Sequence, residues 1–147
     1  FSIPVPGGHV YLNDLVICTA AILLDYPYAC IVGGIGAFLG DLIFYPTPMF
    51  VSLVVHGVQA VVVSLCTRKL KCVNERTGSV IGVVIGAVIT VIGYHLGRAY
   101  IYSTPEYALL KLPFQIVQEV IGGAGALLLC WKCGLVRLYR KYFEGNM

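Results

Sequence analysis

The side chains able to do chemistry in this chain lie inside its apolar stretches. Asn13, Asp14, Asp41, His56, Gln59, His95, Arg98, Lys111, Gln115, Gln118 and Glu119 interrupt runs of Val, Ile, Leu and Gly. An ionisable or amide group in such a run is expensive unless it is paired or faces a cavity, so each is a candidate for contact with a polar guest. Helical spacing puts His95 beside Arg98, and Gln115 beside both Gln118 and Glu119. Tyr94, Tyr102, Phe50, Tyr107 and Phe114 fall at the same level of the chain and offer ring faces. Amides, imidazoles, a balanced pair of charges and aromatic rings suit a small, largely uncharged heteroaromatic molecule, stacked through its plane and hydrogen-bonded at its edge. The candidate binding set is therefore His9, Asn13, Asp41, His56, Tyr94, His95, Arg98, Lys111, Gln115, Gln118 and Glu119.

Other spacings carry rival chemistry. Cys130-Trp131-Lys132-Cys133 has the Cys-x-x-Cys pattern of a membrane thiol oxidoreductase, but no βαβ context surrounds it. Cys66 and Cys72 could join it in a four-Cys zinc set, which their irregular spacing argues against. His9 and Asp14 stand as a base and its orienting acid do in glycerolipid acyltransferases, in a chain that lacks the soluble fold such enzymes need. A stand-alone channel or carrier is the remaining rival, and no internal repeat is visible. No Gly-x-x-x-x-Gly-Lys-Ser/Thr phosphate loop occurs, so any ATP-driven work belongs to a partner chain. We expect no enzyme activity, no cofactor and no metal.

The elements that position these residues follow from composition. Of the 147 residues 59% are hydrophobic and 12% charged, and the mean hydropathy is +0.87. Those values exclude a soluble domain. The apolar residues run continuously rather than in alternation, so the backbone polar groups are satisfied within helices, not in a β-barrel. Breaks at Tyr26-Pro27, Tyr45-Pro46-Thr47-Pro48, the basic run from Thr67 to Thr77, and Tyr102-Ser103-Thr104-Pro105 leave five segments, near 10–25, 28–45, 48–66, 78–102 and 106–131. The expected architecture is an all-α integral membrane protein, one domain over 1–147, a compact bundle of five transmembrane helices. Pro4 to Asp14 reads as a polar loop at the mouth of the first.

Arg68, Lys69, Lys71, Arg76, Lys132, Arg137, Arg140 and Lys141 fall on one side of this arrangement. Positive residues stay in the cytoplasm, which places the C-terminus inside and Phe1 outside. A further helix before Phe1 would return the N-terminus to the cytoplasm and complete a bundle of six. The net charge of +3 reflects that basic face, whose partner is the lipid headgroup layer and not nucleic acid.

Three stretches carry a family resemblance: Pro6-Gly7-Gly8-His9-Val10-Tyr11-Leu12-Asn13-Asp14, then Gly33-Gly34-Ile35-Gly36-Ala37-Phe38-Leu39-Gly40-Asp41-Leu42, then Pro48 to Gly57. In these the chain resembles the substrate-binding S components of energy-coupling factor (ECF) vitamin transporters. The resemblance is clear over roughly the first seventy residues, and beyond Thr67 only the hydropathy pattern matches. It implies six helices, a substrate pocket near the extracellular face, and a location in the bacterial cell membrane. It also implies partners: a transmembrane coupling protein and two ATPase subunits of a shared module, on which the S component docks to release its vitamin. Within the family, the residues above point toward hydroxymethylpyrimidine, the thiamin precursor, or pyridoxine. The small stripe Gly33, Gly36, Ala37 and Gly40 is the expected docking face, since small residues let helices approach closely in lipid.

Overall fold

Proline, glycine and charge divide the chain where expected. In the computed structural model every helix limit lies within three residues of its expected position. The structure describes residues 2–5, 8–70 and 74–144, and side chains at 12–70 and 74–143. The polar lip is more ordered than a loop. It forms an antiparallel hairpin, β1 (Ser2–Val5) with β2 (Gly8–Tyr11), Ser2 opposite Tyr11 and Val5 opposite Gly8. The remainder is helical: α1 (Asn13–Leu23), α2 (Tyr26–Phe44), α3 (Met49–Lys69), α4 (Glu75–Tyr102) and α5 (Pro105–Lys132), followed by the short α6 (Leu135–Tyr139).

Four of these, α2 to α5, are long and apolar enough to cross a membrane. Helix α1 has 11 residues, about 16 Å at 1.5 Å per residue, or half of a roughly 30 Å hydrocarbon layer. That shortfall matters for function, because the half of the bundle beyond Asn13 contains no helix from this part of the chain.

Chain direction sorts the ends. The N-termini of α1, α3 and α5 and the C-termini of α2 and α4 share one end of the bundle; the other holds Arg68, Lys69, Arg76, Lys132 and α6. At the basic end Arg68 closes α1. Its guanidinium donates to the carbonyls of Ala21, Ile22 and Leu23 at 3.4, 3.2 and 2.6 Å and pairs with Asp25 at 2.9 Å. A cation on the last carbonyls of a helix satisfies groups that have no intrahelical donor and complements the helix dipole. Helix α5 ends beside Gly134, whose φ of 76° turns the chain into α6 in a conformation that favours glycine.

Helices α3 and α4 pack most extensively, through glycines. A Cβ on Gly78 would collide with the Cys66 carbonyl oxygen, and one on Gly82 would sit 2.9 Å from the Cys66 Cβ. In lipid, where apolar surface gains nothing by leaving water, such close backbone approach is a main source of helix association. Helix α5 admits α1 in the same way: Gly122 lies against Asp14 and the Leu15 amide. The core between them comprises Ile17, Cys18, Ala21, Ala60, Val63, Val83, Ala126 and Cys130. Val54, Val84, Val88, Val117 and Val120 face outward, as lipid-facing residues must.

Candidate functional site

At the end of the bundle opposite Arg68, Lys69, Arg76 and Lys132, all of α1 to α5 contribute to a cavity of about 660 Å³. It occupies the space that the half-length α1 leaves open. Asn13 and His56 form part of its floor, Asp41, Tyr94, Arg98, Lys111, Gln115 and Gln118 supply polar groups, and Tyr45, Tyr102, Tyr107 and Phe114 supply rings. Eight of the eleven expected binding residues thus border one space.

Helical geometry explains the convergence. On α3, Ser52, His56 and Gln59 follow at intervals of four and three and so share a face; all three are at most 1% exposed. On α5, Gln115, Glu119 and Gly122 repeat the same spacing, with Gly122 letting α1 bring Asp14 against that face. Each polar group finds a partner on a different helix. Arg98 on α4 donates to Gln115 Oε1 on α5 at 2.8 Å. Gln115 Nε2 donates to Glu119 Oε1 at 3.1 Å, and Glu119 Oε2 accepts from Gln59 Nε2 on α3 at 3.2 Å. Gln59 Oε1 meets His56 Nδ1 at 2.8 Å, and His56 Nε2 meets Asn13 Nδ2 on α1 at 3.4 Å. Asp14, wholly buried, accepts from Gln118 Nε2 at 2.8 Å and stands 3.6 Å from His56 Nδ1. Buried polar groups so bonded rigidify the helices that carry them.

A second cluster joins α2, α3 and α4. Ser52 bonds to Asp41 and to the Tyr94 hydroxyl, and Tyr94 meets the His56 ring edge-on at 5.5 Å between centroids. The Arg98 guanidinium lies over the other part of this cluster, 5.3 Å from the Tyr94 ring, a distance at which a cation is drawn to a ring face. Lys111 stands 5.8 Å from the Tyr107 ring in the same manner.

Several expected residues are placed elsewhere. Glu119 lies behind the wall and meets it through Gln115 directly and through Gln59 and then His56. His95 does not border the cavity, although it precedes Arg98 by one turn; its Nδ1 is buried without a hydrogen-bond partner. Phe50 packs on Phe38 instead, 5.7 Å between ring centroids. The side chain of His9 lies outside the described residues, though its backbone pairs with Pro4 in the hairpin. The small stripe on α2 divides: Gly33 is buried against Ala60 and the His56 carbonyl, while Gly36, Ala37 and Gly40 border the cavity, with open space where a Cβ on Gly36 or Gly40 would be.

Ser52 was not singled out from the sequence, yet it ties Asp41 to Tyr94. Its signal was available: it stands one turn before His56 on the same face. Of the rival motifs, Cys130 is a thiol in the core at 1% exposure and Cys133 an exposed thiol. Cys72 lies outside the described residues.

Comparison with known proteins identifies relatives of the chain. Residues 1–134 match the family described as ECF-type riboflavin transporter, S component. The chain is 32% identical over 122 residues to an uncharacterized protein in the gap 3′ region of Pyrococcus woesei, covering 82% of this chain and 80% of that one. It is 30% identical over 148 residues, covering 96% of this chain and 82% of the relative, to the thiamine precursor transporter HmpT of Lactococcus lactis subsp. cremoris (strain MG1363).

Proposed function

Because the chain belongs to the ECF-type riboflavin transporter S component family, we propose that its cavity captures a small heteroaromatic nutrient on the extracellular side for delivery by an ATP-driven partner module. The observation that carries this reading is the composition of the cavity wall. Six Phe and Tyr rings and seven amide, imidazole or charged side chains converge on about 660 Å³ at the end of the bundle farthest from Arg68, Lys69, Arg76 and Lys132, a size within the range of small-molecule sites. Retention of positive residues in the cytoplasm turns that end outward and leaves α6 inside.

The substrate is hydroxymethylpyrimidine or a guest of its kind such as pyridoxine. Charge supports this over a polyanion, since Arg98 already serves Gln115 and the wall also holds Asp41. A relative that spans 96% of the chain is named a thiamine precursor transporter. Riboflavin is the second reading, favoured by the family description and by a cavity roomy enough for more than one ring. Docking engages a transmembrane coupling protein with two ATPases. Gly33 is already covered by α3, and Gly36, Ala37 and Gly40 border the cavity, so this stripe serves the bundle and its guest before any partner.

The test is calorimetric titration of the purified chain in lipid nanodiscs with hydroxymethylpyrimidine, pyridoxine and riboflavin. The sole tryptophan, Trp131, lines the opposite end of the bundle, so its fluorescence is a poor reporter of this cavity. At least one of the three should bind with a dissociation constant of about 1 µM or tighter, some 8 kcal/mol. Silence toward all three at millimolar concentration refutes the reading. Vesicles holding this chain alone should bind that ligand and fail to concentrate it.

A further inference from the structure

The cavity floor has one polar atom whose partner is missing. Asn13 Oδ1 is buried and makes no hydrogen bond among the described residues, in a residue that borders the cavity. Its orientation is dictated from the other side of the wall. Arg98 can only donate, so Gln115 turns Oε1 toward Arg98 and its NH2 toward Glu119. Glu119 accepts that bond and a second from Gln59 Nε2, which leaves Gln59 Oε1 facing His56 Nδ1. Asp14 Oδ1 approaches the same nitrogen at 3.6 Å. The Gln59 oxygen accepts at Nδ1 and so places the ring proton there, with the Asp14 charge nearby favouring it, and Nε2 then accepts from the Asn13 amide nitrogen. Asn13 is left with a carbonyl oxygen that no described residue satisfies and one amide hydrogen.

We infer that Glu119, through Gln59 and His56, sets Asn13 as a hydrogen-bond acceptor in the cavity floor and so selects substrates whose ring edge presents an N–H or O–H donor at that point. The inference rests on the capture reading above and deepens it: Glu119 is a positioning residue and Asn13 the atom-level reader. Hydroxymethylpyrimidine offers two such donors, an amino and a hydroxymethyl group. A buried acceptor that meets no donor loses roughly five- to a hundredfold in affinity.

The relay has a distinctive failure. In Glu119→Gln one carboxylate oxygen becomes an NH2. Gln115 is held by Arg98 and cannot turn, so the change falls on Gln59, which must present its oxygen to residue 119 and its NH2 to His56. The ring proton then moves to Nε2, and Asn13 turns its NH2 to the cavity.

The experiment measures binding of hydroxymethylpyrimidine and of two analogues, one with methoxy in place of the amino group and one with the hydroxymethyl oxygen methylated, to the full chain and to E119Q in nanodiscs. In the unaltered protein one analogue should bind about tenfold or more weakly than the parent. In E119Q that ratio should fall toward unity or below it. Parent binding without discrimination, or a ratio unchanged in E119Q, overturns the relay while leaving capture standing. Absence of binding by all three compounds, and by pyridoxine and riboflavin, overturns capture itself and the relay with it. A ligand-free measurement holds if E119Q does not fold: nitrogen-15 shifts of the His56 ring in the unaltered chain should report Nδ1 protonated and Nε2 bare. The opposite tautomer refutes the relay.

Discussion

Substituting alanine for Gly122 tests whether the close approach of α1 to α5 builds the cavity floor. A Cβ at this position would lie 2.6 Å from the Asp14 Cβ and 3.1 Å from the Leu15 amide nitrogen, where ordinary contact begins at 3.4 Å. The obstacle is backbone and the first carbon of a buried side chain, neither of which can rotate away, so α1 must retreat by about 1 Å. Forced overpacking of this kind costs about 1–3 kcal/mol. The Asn13–His56 bond is already 3.4 Å long, near the limit of hydrogen-bonding reach, so a displacement of α1 on that scale disrupts its geometry. Capture should therefore weaken about tenfold, the loss expected of one broken polar contact. Gly125→Ala on the same helix is the control. Its Cβ would meet the Leu15 Cδ1 at 2.7 Å, a terminal methyl that can swing aside, so stability should change by less than about 1 kcal/mol. Calorimetric titration in nanodiscs and denaturant unfolding of both variants give the comparison. If G122A binds as the unaltered protein does, or if G125A proves the more damaging, the floor is not built by this contact.

Arg98→Ala removes the donor to Gln115 Oε1 and should weaken capture by roughly ten- to a hundredfold, with Arg98→Lys in between, by the same titration. Gly36→Leu adds a side chain where the structure leaves open space beside the cavity, so it should impair capture directly. Normal capture with lost uptake would instead assign Gly36 to docking. With the other cysteines replaced, exposed Cys133 beside α6 should react with a membrane-impermeant maleimide only in inside-out vesicles; labelling of intact cells would reverse the orientation and place the cavity inside.

The sequence by itself determined that the chain spans a membrane as helices, where those helices end, and which turn of each helix carries the polar side chains. These follow from local causes: the length of apolar runs, proline and glycine at their limits, and the cost of a charge in lipid. It also set the polar faces of α3 and α5, because Ser52, His56 and Gln59, like Gln115 and Glu119, recur at helical spacing. Periodicity says which residues share a face and nothing about which neighbour that face meets. Only the tertiary structure decided that Glu119 stands behind the wall, that His95 turns aside while Arg98 reaches Gln115, and that Gly36, Ala37 and Gly40 border the cavity. Those outcomes depend on the rotation of each helix about its own axis and on α1 stopping halfway, and both are settled by contacts between residues far apart in the chain, such as Gly122 with Asp14 and Gly82 with Cys66.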